Sequence, residues 1–156
     1  MNPPLAVGIA AACLLGLMPP GAGPARAALG GDAASVAADA TALAGTDSVV
    51  TQPDYDVHVV TGPSGTRLTE YVDRSGRVFA VSWAGPVMPD LRALLGVHHA
   101  AFAAARAAQP PHAPASPLRV VTPDLVVENS GHMRAVTGRA YVPAWLPAGI
   151  TVADVH

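Results

Sequence analysis

The chain has little cysteine, with one in 156 residues, few aromatic side chains at 4%, and little charge at 13%. Lysine is absent, so its nine basic residues are all arginine, set against eleven Asp and Glu for a formal net charge of -2. These arginines are scattered along the sequence. A nucleic-acid-binding surface needs a dense phosphate-neutralising patch, and none is present to supply one. Hydrophobic residues reach 51%, but much of that is alanine, so large core side chains are scarce. One domain with a modest core fits this length and composition better than a large enzyme.

The lone Cys13 sits inside an apolar run, "LAVGIAAACLLGLM" from Leu5 to Met18, with Leu14 to Leu17 still to follow. A lipid-carrying cysteine comes after such a region, so this one is misplaced for that role. The run is followed by Pro19-Pro20 and then by Ala25-Arg26-Ala27, an A-x-A-like peptidase site, and the first 27 residues read as an export signal. Asn2-Pro3-Pro4 adds no positive charge, which leaves the α-amino group to provide it. The 14-residue run is shorter than the ~20 residues that span a bilayer, so no transmembrane segment is expected in the mature chain. The expected location is periplasmic or secreted. Cleavage after Ala27 leaves no thiol, which excludes disulfides, thiolate catalysis and Cys-ligated zinc together.

Residues 28–53 are small, polar or Ala-rich and lack aromatic residues. They offer too little apolar area to offset backbone ordering, and a mobile, disordered arm is expected, with only a transient helix over Val36 to Leu43. From residue 54 the pattern changes. Tyr55–Thr61, Thr66–Asp73 and Arg77–Ala84 are strand-length runs rich in β-branched and aromatic residues. Gly62-Pro63-Ser64-Gly65 and Arg74-Ser75-Gly76 supply turn chemistry between them, so an antiparallel meander is expected. Alternation puts Phe79, Val81 and Trp83 on one face, with Val78, Ala80 and Ser82 opposite, and sets Leu68 and Val72 against Arg67, Thr69 and Tyr71. Such a sheet is covered on one side only.

After Pro89, Asp90 is the expected N-cap of an amphipathic helix reaching Ala108, with Leu91, Leu94, Leu95, His98 and Phe102 facing inward and Gly96 as its weak point. Residues 109–117, "QPPHAPASP", read as an extended Pro-rich linker. A further hairpin follows, from Leu118 through Val142, with its turn at Ser130-Gly131. The tail carrying Trp145 and Leu146 is too apolar to be free and is expected to pack back. The fold class is therefore α+β: an antiparallel sheet of four to five strands on one main helix, within a single domain spanning 54–156.

"ALGG" (Ala28 to Gly31), "TEYVDRSGRVFAVSWAGPVMPDLRALLG" (Thr69 to Gly96) and "LVVENSGHMRAVTGRAYVPAWLPAGI" (Leu125 to Ile150) together resemble the bacterial domain-of-unknown-function family 2844. That resemblance covers nearly all of the mature chain. It implies a small exported protein of unassigned activity and carries over no catalytic residue.

The junction between the third strand and the helix is the foremost candidate site. Trp83 offers a broad contact, Pro86 and Pro89 stiffen the backbone, and Asp90 and Arg92 add polar groups, of which Arg92 can grip a carboxylate bidentately. Every residue there except Arg92 also has an ordinary structural task. Tyr71, with Tyr141, Arg67, Arg134 and Arg139, can form a polar, aromatic-studded sheet face that suits a protein or glycan partner, or simply solvent. The other chemistries have weaker patterns. His98 and His99 are adjacent, about 100° apart on a helix, and His58, His112 and His132 lack sequence partners, so neither a metal site nor a cofactor is expected. Ser64 and Ser130 do not sit in a G-x-S-x-G elbow. Asp54, Asp56 and Glu70 make no arguable acid/base pair. The leading expectation is an exported non-enzymatic module that binds a periplasmic or envelope protein or another envelope component. The alternative is a small periplasmic hydrolase whose His and carboxylate groups converge only in the fold.

Overall fold

The computed structural model describes residues 29–110 and 117–156. The expected export signal, its expected cleavage point and residues 111–116 of the expected Pro-rich linker lie outside the described residues. Helix α1 spans Ala33–Ala42, and strands β1 (Thr46–Thr51), β2 (Tyr55–Thr61), β3 (Arg67–Asp73) and β4 (Val78–Gly85) follow. After them come α2 (Leu91–Leu95), α3 (His99–Ala107), β5 (Leu118–Val121), β6 (Val126–His132) and β7 (Ala135–Tyr141). All seven strands form one sheet in the order β1-β2-β3-β4-β7-β6-β5, antiparallel at every step. Two consecutive meanders are thus stitched together along β4 and β7. No helix among the described residues is long and apolar enough to cross a membrane.

The α+β class stands, but the sheet has seven strands, not four to five. One addition comes from the segment expected to be a mobile arm. There Leu29 and Val36 are fully buried, and Asp32 accepts a 3.0 Å bond from the Ser35 amide at the start of α1. Strand β1 pairs with β2 over all six of its residues while every one of its side chains stays exposed. Backbone pairing rather than apolar burial holds it in place, so hydrophobic patterning carries no sign of it. The other addition is the four-residue β5.

The faces also differ from simple alternation. Tyr71 pairs with Ala80 but Val72 pairs with Val78, so Phe79 is the extra residue of a β-bulge. Phe79 and Ala80 consequently face one side together, and Val78, Val81 and Trp83 face the other. Both sides are covered. On the first, Leu29, Val36, Leu94, Leu95 and Phe102 pack onto Val60, Leu68, Val72, Val78 and Val81. On the second, Phe79 meets Tyr55 edge-on at 5.9 Å and Tyr71 at 6.1 Å, beneath Leu146, Ile150, Val152 and Val155 of the tail.

The helix after Pro89 is capped by Asp90, whose Oδ1 accepts from the amides of Arg92 (2.9 Å) and Ala93 (3.4 Å). It is not continuous to Ala108: Gly96, at φ +49°, opens a 3₁₀ turn over Gly96–His98 before α3 begins. In the last hairpin the strands run on to His132, pairing Ser130 with Thr137 and Gly131 with Val136. The chain reverses at Met133-Arg134, with Arg134 at φ +64°, and not at Ser130-Gly131.

Phe79→Ala should cost about 3–5 kcal/mol, as expected for emptying a fully packed aromatic site. Chemical denaturation followed by circular dichroism checks this, and near-wild-type stability would show that the tail-side cluster does not hold the sheet.

Candidate functional site

The four residues singled out from the sequence do not converge. Trp83 lies on the helix-covered side, 2% exposed, and its Nε1 donates to Asn129 Oδ1 at 3.2 Å. Its cross-strand neighbour is Gly138, where an added Cβ would fall 2.3 Å from the indole, so the ring lies against bare backbone. Asp90 is occupied as an N-cap. Arg92 is exposed on α2. Tyr71 is buried on the opposite side of the sheet from Trp83, with its hydroxyl donating to His156 O at 2.8 Å and accepting from His156 N at 2.9 Å. The junction is thus built as a corner, with Arg92 as its free polar group nearest solvent. Tyr141, expected on a polar face, is likewise buried in the tail-side cluster.

A concave site forms at the β5–β6–β7 end of the sheet, and of the four residues only Trp83 borders it. It is a pocket of ≈ 500 Å³ whose lining includes Ala84, Leu118, Ser130, Thr137, Val155 and His156, together with Arg119, Glu128 and Arg139. Strand register creates it: Arg139 pairs with Glu128, and Glu128 with Arg119, so three charged side chains stand in one row across three strands. Arg139 grips Glu128 through Nε at 2.7 Å and Nη2 at 2.6 Å, while Arg119 Nε reaches the other carboxylate oxygen at 2.9 Å. Arg139 Nη1 also donates to the carbonyls of Val152 (2.7 Å) and Val155 (3.2 Å). The tail that walls the pocket is therefore tied to the sheet by Arg139 and again by Tyr71. Ser130 and Thr137 place their hydroxyls 3.3 Å apart on its floor.

The electrostatics of Glu128 are settled by opposing effects. Burial works to raise its carboxyl, and the hydrogen bonds and charges of Arg139 and Arg119 together overcome that and hold it below the usual carboxylate range. An acid or base that shuttles protons near neutrality needs the opposite shift. The arrangement suits recognition by a fixed set of donors and acceptors beside apolar surface.

Sequence reasoning named Trp83 and Arg139, which both line the pocket, but not the pocket itself. The signal was present in "VVENSGHMRAVTGRAY", where a hairpin fixes Glu128 opposite Arg139 once the turn is placed at Met133-Arg134. Among the histidines, His58 Nδ1 lies 3.2 Å from Asp47 Oδ2, with Glu70 next in register. This pair sits on β1–β2, at the far end of the sheet from the pocket. Among the described residues no group of three or more His, Cys, Asp or Glu side chains can hold a metal ion.

A family model described as a protein of unknown function (DUF2844) matches residues 25–155. No curated protein and no solved structure matches the chain.

Because the Glu128 carboxyl is lowered in the folded protein, its contribution to stability is complete above the ordinary Glu value of about 4.3 and is lost as pH falls through the lowered folded value. Glu128→Gln should flatten the fall in denaturation midpoint over that acid range while lowering stability at neutral pH. Parallel acid profiles for the two proteins would show that the Arg–Glu–Arg row contributes nothing to folding.

Proposed function

The chain belongs to the DUF2844 family, and from that footing we propose that it is an exported, non-catalytic binding module whose ligand is a periplasmic or envelope protein or another envelope component. Export is supported by the apolar leader and by Ala25-Arg26-Ala27, and the family match begins at Ala25, after the apolar run. Binding is supported by one observation above all: a hollow of ≈ 500 Å³ holds a locked Arg–Glu–Arg row beside apolar surface. Its donors and acceptors are fixed on a rigid sheet, and its carboxylate is shifted away from proton transfer. Ser130 and Thr137 add adaptable hydrogen-bonding groups on the floor.

A small hydrolase is the competing reading, and His58 with Asp47 is the arrangement that favours it. That pair lies outside the pocket, so the two readings place their essential residues at opposite ends of the sheet.

In-cell crosslinking of the tagged protein, followed by mass spectrometry, separates them. Thr137→Trp or Ser130→Trp, each filling the pocket from an exposed strand position, should remove a discrete crosslinked partner at least tenfold while circular dichroism stays unchanged. Arg92→Ala should keep the partner. Loss in Arg92→Ala with retention in both pocket variants would move the site to the corner. Retention of the partner in the pocket variants and in Arg92→Ala would overturn the pocket reading, and hydrolytic turnover lost in His58→Ala would favour the hydrolase.

A further inference from the structure

Strand β1 is the outermost strand of the sheet, and all six of its residues are exposed, Val49 and Val50 by 52% each. The amide of Gln52 bonds Tyr55 O at 2.9 Å across the β1–β2 turn. In an antiparallel pair alternate residues exchange bonds, so the residues of β1 that face β2 are Val50, Ser48 and Thr46. Asp47, Val49 and Thr51 therefore turn their N–H and C=O groups away from the sheet.

Exposed edges in natural proteins are blunted by Pro, Lys, a bulge or a covering segment. Strand β1 has none of these residues, and its register runs unbroken from Thr46 opposite Thr61 to Thr51 opposite Asp56. The other edge is treated differently. Strand β5 has four residues, and the Gln109 side chain covers its outer backbone by donating to Arg119 O at 2.8 Å.

We propose that the β1 edge is a self-association surface and that its occupant is β1 of a second copy, antiparallel, with Val49 on the two-fold axis. Three features of the strand single out this partner and register. First, parity matches: Asp47 meets Thr51 of the second copy and Val49 meets its own equivalent, so every outward-facing residue opposes another and each pair exchanges both bonds. Second, charge is compatible: Asp47 is the strand's lone charge and faces a neutral threonine, whereas sliding the copies until Asp47 meets Asp47 would set like charges opposite. Third, Val49 packs on Val49 while Ser48 meets Val50, which covers both half-exposed valines. The two seven-stranded sheets then become one. An edge of six residues is small beside ordinary stable interfaces, so the association should depend on concentration in the micromolar range or above.

The test uses the expressed chain carrying Cys13→Ser, so that an added cysteine is the only thiol. Opposed residues that exchange bonds have Cα atoms about 5.5 Å apart, within disulfide reach. Val49→Cys should therefore form an intermolecular disulfide under mild oxidation. Val50→Cys, whose equivalent lies two residues off, should crosslink at least tenfold more slowly. Sedimentation velocity should show a concentration-dependent dimer that Val49→Lys converts to monomer, with the β-sheet circular dichroism signal intact. A monomer at every concentration overturns the proposal and leaves the edge for a foreign strand. Crosslinking through Val50 as fast as through Val49 overturns the register.

Discussion

The bulge at Phe79 is the constraint on which the rest of the structure depends. One extra residue in β4 lets the strand place Val78, Val81 and Trp83 beneath the helices while turning Phe79 and Ala80 to the other side. Without it, regular alternation would put Phe79 with Val81 and Trp83, and the second side of the sheet would lose its central aromatic. The tail would then have little apolar surface to lie on. Phe79 also uses its carbonyl, which accepts from the Val142 amide at 3.2 Å just where the chain leaves β7 for the tail. Side-chain packing and backbone bonding thus direct the C-terminal segment from the same residue.

The pocket follows from that placement. Once the tail lies across Tyr55, Tyr71 and Phe79, its 3₁₀ turn over Val152–Asp154 arrives beside Arg139, which bonds its carbonyls. Thr151 and Asp154 close the turn with a capping box, keeping its shape independent of the sheet beneath it. Arg139 therefore belongs to two structures, the charged row and the tail anchor, and Glu128 sets its orientation for both. Trp145 marks the join on the other flank, with the Arg77 guanidinium 4.5 Å from its ring and His98 edge-on at 5.5 Å.

Much of this was legible in the residues. Strands β2, β3 and β4, the cap at Asp90 and the weak point at Gly96 all follow from periodicity and turn chemistry, because local preference and tertiary packing agree there. Strand β1 was not legible, since a strand held by backbone pairing with six exposed side chains leaves no apolar trace. The bulge was missed for a related reason: an extra residue in a strand of all-apolar neighbours does not disturb its composition, only its parity. The charged row required the register of β5, β6 and β7, and a turn misplaced by three residues was enough to hide it. Trp83 and Tyr71 drew attention as large aromatic residues, yet each is occupied inside the fold, one against Gly138 and the other with the backbone of His156.

The stitched sheet also shapes how the chain reaches its native state. Each meander pairs neighbours in sequence, so β1 to β4 and β5 to β7 can form from short, rapidly closed loops. The seam is different: Ala80 must find Tyr141 and Gly85 must find Val136, pairings 61 and 51 residues apart in the sequence. Its entropic cost is paid before any seam contact forms, which makes β4 meeting β7 the slow, non-local step of folding. Until then Trp83 has no Gly138 to lie against. Its indole is therefore a natural optical reporter of the moment the two halves become one sheet.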